Sequence, residues 1–68
     1  MIKIYTDGSC LQNPGNGGWA AIINSDGSVK KISGNEKNTT NNRMELMATI
    51  SALKEISSNE DIEIYTDS

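Results

Sequence analysis

Two stretches at opposite ends of this chain finish alike. Ile4-Tyr5-Thr6-Asp7-Gly8-Ser9 lies near the start, and Ile64-Tyr65-Thr66-Asp67-Ser68 closes the sequence. Each is a short, alternating, β-branched run that reads as a strand and delivers an aspartate just past its Thr. Between them the apolar period changes from two to that of a helix. A helical crossover sets the strands it joins parallel, so two like strands can lie side by side with their carboxylates on one edge. The echo is too short to imply a duplicated domain.

The rest of the chain supplies the sheet and the crossover. Residues 2–6, 19–23 and 29–33 read as three strands, the third the weakest, and residues 62–66 as a fourth. Asp26-Gly27 accepts the positive φ of a type I′ hairpin turn, so the first three strands form an antiparallel meander. Asn13-Pro14-Gly15-Asn16-Gly17-Gly18 reads as a turn, and the amide-rich residues 35–42 as a loop. Leu46, Ile50 and Leu53 fall at i, i+4 and i+7, and Met47 and Ile56 extend the stripe, which predicts an amphipathic helix over about residues 41–57. Thr40, Asn41 and Asn42 are all good caps, and Asn42-x-x-Glu45 resembles a capping box. The predicted fold is α/β: a sheet of strand order 3-2-1-4 with one packed helix.

Composition removes several chemistries. The chain has 68 residues, which is one small domain or part of one. With one cysteine, Cys10, it has no internal disulfide, which suits a reducing compartment and sets the cytoplasm as the expected location. It has no His, which excludes His-based zinc sites, His general bases and Ser-His-Asp triads. No apolar run approaches a membrane span or a signal-peptide core, so no membrane partner is expected. A net charge of −3 argues, taken alone, against a strongly basic nucleic-acid binder. Carboxylates, amides and backbone remain to do the chemistry.

Topology gathers three of those carboxylates. The helix that feeds the fourth strand runs antiparallel to it, so the N-terminal turns carrying Glu45 lie at the edge where Asp7 and Asp67 emerge. That is the carboxyl edge at which α/β sheets place their sites. Three carboxylates at one point repel each other unless a cation is present. Hard oxygen ligands without His or a second Cys favour Mg²⁺, with Mn²⁺ as the alternative. Two such ions could flank a phosphodiester, one activating water and one stabilising the leaving oxygen. The plainer reading makes Asp7 and Asp67 strand-end turn residues and Glu45 an acid that complements the helix dipole.

At these residues the sequence resembles bacterial ribonuclease HI. The likeness runs through Tyr5-Thr6-Asp7-Gly8-Ser9-Cys10, Asn13-Pro14-Gly15, Gly17-Gly18, Thr39-Thr40-Asn41-Asn42-Arg43-Met44-Glu45-Leu46 and Tyr65-Thr66-Asp67-Ser68, in the family's order and approximate spacing. The resemblance implies endonucleolytic hydrolysis of the RNA strand of RNA–DNA hybrids, with Asp7, Glu45 and Asp67 as catalytic metal-binding carboxylates. It also implies hybrid contacts: Cys10 and Asn13 in a loop at the minor groove, Asn41 and Asn42 reading that groove, and Thr40 at a DNA-strand phosphate. Amides suit this work because they both donate and accept. Asn41 and Asn42 could instead only cap the helix, and Asn13 only shape its turn. Asn38 stands where some members carry a basic residue.

The resemblance covers an N-terminal half. The family continues with a fifth strand and further helices, which carry a fourth carboxylate, a catalytic His and, in many bacterial members, a basic protrusion. Residues 1–68 are therefore expected to be the first part of a single ribonuclease H domain. The alternative function is a non-catalytic folding or interaction fragment. It would self-associate through its fourth strand or pair with the missing C-terminal half. A nucleotidyl-transfer relative would share the strand-end aspartates but not residues 39–46. Arg43 could meet phosphate or pair with an acid.

Overall fold

The computed structural model describes residues 1–57 and 59–66. Four strands and one helix follow in the order β1 (Ile2–Cys10), β2 (Gly15–Ser25), β3 (Ser28–Thr39), α1 (Asn41–Lys54) and β4 (Ile62–Thr66). The sheet order is β3-β2-β1-β4, as the sequence predicts. β1 pairs antiparallel with β2 and parallel with β4, with Tyr5 opposite Tyr65 and Thr6 opposite Thr66. Asp26 and Gly27 take φ of 49° and 85° between the paired Ser25 and Ser28, which is the expected two-residue turn with both central residues left-handed.

The strands run further than local composition indicates. Gly15 to Gly18 belong to β2 and Asn35 to Thr39 to β3, although both segments read as turn or loop. Each supplies the other's hydrogen-bonding partner: Gly18 lies opposite Asn35 and Gly17 opposite Glu36. Cross-strand pairing overrides the weak strand propensity of glycine and asparagine here. The register slips between Gly15 and Gly17, where β3 carries one extra residue, and Asn38 there has φ of 54°. Asparagine tolerates that left-handed conformation and β-branched residues do not. Asn38→Val is therefore expected to cost ~1–2 kcal/mol, while Asn38→Gly keeps the bulge. Urea unfolding of the two variants checks this.

The helix buries a different face from the one its large apolar residues mark. Met44, Ala48 and Ala52, at i, i+4 and i+8, are fully buried against the sheet. Leu46, Ile50 and Leu53 stay exposed, at 62%, 43% and 42% of their area, and Met47 and Ile56 are half-buried. The reason is closeness. A Cβ on Gly8 would lie 2.5 Å from the Met44 carbonyl carbon and 2.6 Å from the Glu45 nitrogen, so α1 rides directly on the β1 backbone. At that separation only small or flexible side chains fit between helix and sheet. α1 also stops at Lys54, with Glu55 as its C-cap, short of the predicted residue 57.

Ile2, Ile4, Ala21 and Ile23 complete the core with Ala52, and Ile32 and Ile56 pack at its margin. The outer sheet face is open. There the Tyr5 and Tyr65 rings stack with centroids 5.0 Å apart. The Tyr65 hydroxyl donates to Glu63 Oε1 at 3.0 Å, and that carboxylate holds the phenol above its ordinary pKa. No described helix is long and apolar enough to cross a membrane.

Candidate active site

Asp7 sits in the β1 stretch that leads to Gly8. Along β1, Ile2, Ile4 and Thr6 face the helix, so Lys3, Tyr5 and Asp7 fall on the other side of the pleat. Asp7 lines an open concavity of about 280 Å³ with Tyr5, Ala20, Ile22, Tyr65 and Thr66. Glu45 is the fifth residue of α1. It borders a second hollow, on the helix side, with Asn42, Leu46, Thr49 and Thr66. Thr66 belongs to both hollows, so Asp7 and Glu45 flank the same end of the sheet where β4 finishes. Gly8 makes this possible, because it seats the Glu45 backbone directly on the residue after Asp7.

Neither carboxylate makes a hydrogen bond or an ion pair among the described residues, and Asp7 is exposed. The third expected ligand, Asp67, lies outside the described residues, and no three metal-ligating side chains gather among those described. Two carboxylates without a partner among the described residues flank one sheet end, and their hard oxygen donors suit a divalent cation. Thr6 Oγ1 and Thr39 Oγ1 are buried without a hydrogen-bond partner among the described residues.

The amide cluster lies beside this edge. Thr40 is the N-cap of α1, in extended conformation, and its Oγ1 accepts the Arg43 N–H at 3.2 Å. Asn42 is thus the second helical residue and not a cap, and Arg43 takes the position where the capping-box reading needs an acid. Arg43 instead reaches Glu36 at 3.9 Å. The remaining contacts tie the β1–β2 loop to the helix. The Cys10 N–H donates to Asn41 Oδ1 at 2.6 Å, and the Asn41 N–H donates to Asn13 Oδ1 at 3.3 Å. The Cys10 thiol is half-buried, and Cys10 Sγ, Thr39 Cγ2 and Met44 Cγ converge over Gly17, where a Cβ would meet all three within 3 Å. Cys10, Asn13, Thr40, Asn41 and Asn42 therefore share one surface at the N-terminus of α1. Sequence reasoning reached that cluster but missed its internal bonding and the role of Gly8. A glycine directly after a strand-end aspartate was the available signal for the latter.

Comparison with known proteins agrees with this architecture. The sequence matches the RNase H family over residues 1–68. It is 61% identical over 67 residues to a ribonuclease H of Francisella philomiragia subsp. philomiragia, covering 98% of this chain and 44% of that protein. It is 52% identical to a ribonuclease H of Mesorhizobium japonicum, covering all of this chain and 38% of that one. The crystal structure of LC11-RNase H1 in complex with an RNA/DNA hybrid superimposes with a TM-score of 0.89 at 32% identity, over the whole of this chain and 55% of the other. The chain thus spans less than half the length of these curated relatives. Sheet order, the helix seated on Gly8 and a match over every residue lead to one assignment: this chain belongs to the ribonuclease H family.

Proposed function

We propose that this chain provides the hybrid-binding surface and the metal-binding carboxylates Asp7, Glu45 and Asp67 of a single domain that hydrolyses the RNA strand of RNA–DNA hybrids. The observation that carries the reading is the placement of Asp7 and Glu45 on either side of Thr66, both without a partner among the described residues. A neighbour in fold holds an RNA/DNA hybrid, and the amide cluster at the start of α1 lies next to the same sheet end.

Divalent cations, which Asp7, Glu45 and Asp67 would hold, would supply Lewis-acid stabilisation of charge at a phosphodiester. The chain's own residues do the positioning. Asp7 and Glu45 offer anionic oxygens from two rigid elements. Gly8 sets their separation by letting α1 touch β1. Thr40 and the first turn of α1 present backbone and hydroxyl donors suited to a phosphate, and Asn13, Asn41 and Asn42 present amides to a groove. Cys10 fixes the loop that carries Asn13.

The test joins residues 1–68 to the remaining portion of the Francisella philomiragia relative. The joined protein is expected to cleave hybrid RNA in Mg²⁺, and to spare single-stranded RNA and duplex DNA. A folded product that cleaves none of the three, or all three alike, contradicts the reading.

One observation favours a second reading for the 68 residues alone. Leu46, Ile50 and Leu53 on α1, with Ile62 and Ile64 on β4, leave a broad apolar surface exposed beside an edge strand. Such edges are templates for pairing. The isolated chain is therefore expected to self-associate through β4 or to need the rest of the domain for activity. Light scattering across a concentration series checks this. A constant mass of one chain, together with hybrid cleavage at ~1 per second or faster, contradicts it.

A further inference from the structure

Glu45 is held at both ends of its residue, and only one of the two holds comes from the sheet. Its nitrogen rides on β1, 2.6 Å from where a Gly8 Cβ would lie. Its carbonyl accepts the Thr49 hydroxyl at 3.1 Å, in a half-buried position. In the helix that carbonyl already takes the Thr49 N–H, so the hydroxyl adds a second bond to the same oxygen. Such back-bonding does not strengthen a helix. It bends the turn and slightly destabilises it, and threonine is a poorer helix former than the neighbouring Ala48 and Ala52. Packing does not demand the hydroxyl either, because Thr49 borders an open hollow of about 370 Å³ with Asn42, Glu45, Leu46 and Thr66. A hydroxyl has one hydrogen. With that hydrogen on the Glu45 carbonyl, Thr49 Oγ1 has only lone pairs left to offer.

We propose that Thr49 is a positioning residue for Glu45 and for the hydration of a cation bound there. The inference rests on the cation reading of Glu45 given above and adds the residue that tunes it. Ions of the Mg²⁺ type give up water reluctantly and keep several water ligands. A metal-bound water points its hydrogens outward and needs acceptors around it. Thr49 Oγ1 is such an acceptor, in the same hollow as Glu45 and one helical turn further on. Its bond to the carbonyl also steadies the Glu45 backbone from which the carboxylate extends. Ligand and support thus stand four residues apart on one rigid element, which is how a site holds its geometry. Hydrogen-bonding partners around a metal ligand are typically worth tenfold or more in metal affinity.

Variants that lose or keep the hydroxyl separate support of the cation from support of the fold. They are made in residues 1–68 joined to the remaining portion of the Francisella philomiragia relative. Mg²⁺ binding is read by calorimetry and metal-free unfolding by circular dichroism. Thr49→Val keeps the branched shape without the hydroxyl. Thr49→Ala removes it with the strongest helix former, which guards against a misfolded product. Both are expected to bind Mg²⁺ about tenfold more weakly than the parent and to unfold within about 3 °C of it. Thr49→Ser keeps the hydroxyl and is expected to keep the parent's affinity. Ser51→Ala removes a hydroxyl from the same helix outside the hollow and serves as the control. Affinities of Thr49→Val and Thr49→Ala equal to that of Ser51→Ala overturn the proposal, and so does Thr49→Ser binding as weakly as Thr49→Val. Affinity that falls only in step with metal-free unfolding assigns Thr49 to the fold alone and overturns it too. A parent protein that binds no Mg²⁺, or Glu45→Gln binding it as tightly as the parent, overturns the cation reading itself and with it the role given to Thr49.

Discussion

Asp7→Asn is expected to lower hybrid cleavage by at least ~10³-fold in a polypeptide that carries this segment and is active, because in the proposed site Lewis-acid stabilisation worth several kcal/mol would depend on that carboxylate. The fold should not suffer. Asp7 is exposed and makes no hydrogen bond or ion pair among the described residues, so its charge contributes nothing the neutral amide must replace. The amide costs the fold no contact, and the metal-free variant should unfold at the same temperature or higher. Asp26→Asn, in the hairpin turn, is the control and keeps full activity. Steady-state cleavage and thermal unfolding on the same preparations separate the roles. Undiminished turnover in Asp7→Asn would remove Asp7 from the metal site.

The second large effect is structural and lies one residue further on. Gly8→Ala forces a methyl group to within about 2.5 Å of the helix backbone, and no flexible side chain is there to move aside. Overpacking of this kind costs ~1–3 kcal/mol, and more when backbone must shift. A core of this size supplies only ~3–5 kcal/mol, so much of the molecule should lose its native packing. Gly8→Val should be worse. Because Gly8 also seats Glu45, any folded remainder should have lost the arrangement of Asp7 and Glu45. Urea unfolding of Gly8→Ala with an unchanged midpoint would show that α1 does not rest on β1 at this point.

The parallel strand pair was legible where the chain repeats itself. Two Tyr-Thr-Asp strand ends and a helical crossover are enough to infer a parallel pair, and the pairing of Tyr5 with Tyr65 and Thr6 with Thr66 agrees. Glu45 followed from the direction of the helix. The helix face was not legible in the same way. Periodicity weights large side chains, so Leu46, Ile50 and Leu53 stood out, whereas the contact with the sheet is made by Met44, Ala48 and Ala52. What selects the small residues is a close approach at Gly8, a long-range fact invisible to a local pattern. Residues 35–39 failed for a related reason. Their amides read as loop, but their strand partners are glycines, and a pairing between two weak segments is decided by register and not by either segment alone. Asp67, the third carboxylate, lies outside the described residues.

The central claim is that Asp7 and Glu45 mark a cation site, and the sheet carries its own competitor. At the opposite end, Glu55 and Glu60 border a hollow of about 190 Å³ with Ile2 and Ser25. Substoichiometric Mn²⁺ broadens NMR signals near the place where it binds. Added to the isotopically labelled chain, it is predicted to broaden the amides of Asp7, Gly8, Met44 and Glu45 first, and to spare Asp26 and Gly27. Mg²⁺ should reverse the broadening, and Asp7→Asn should abolish it. Broadening centred on Glu55, Glu60 and Asp61, unaffected by Asp7→Asn, would contradict the account.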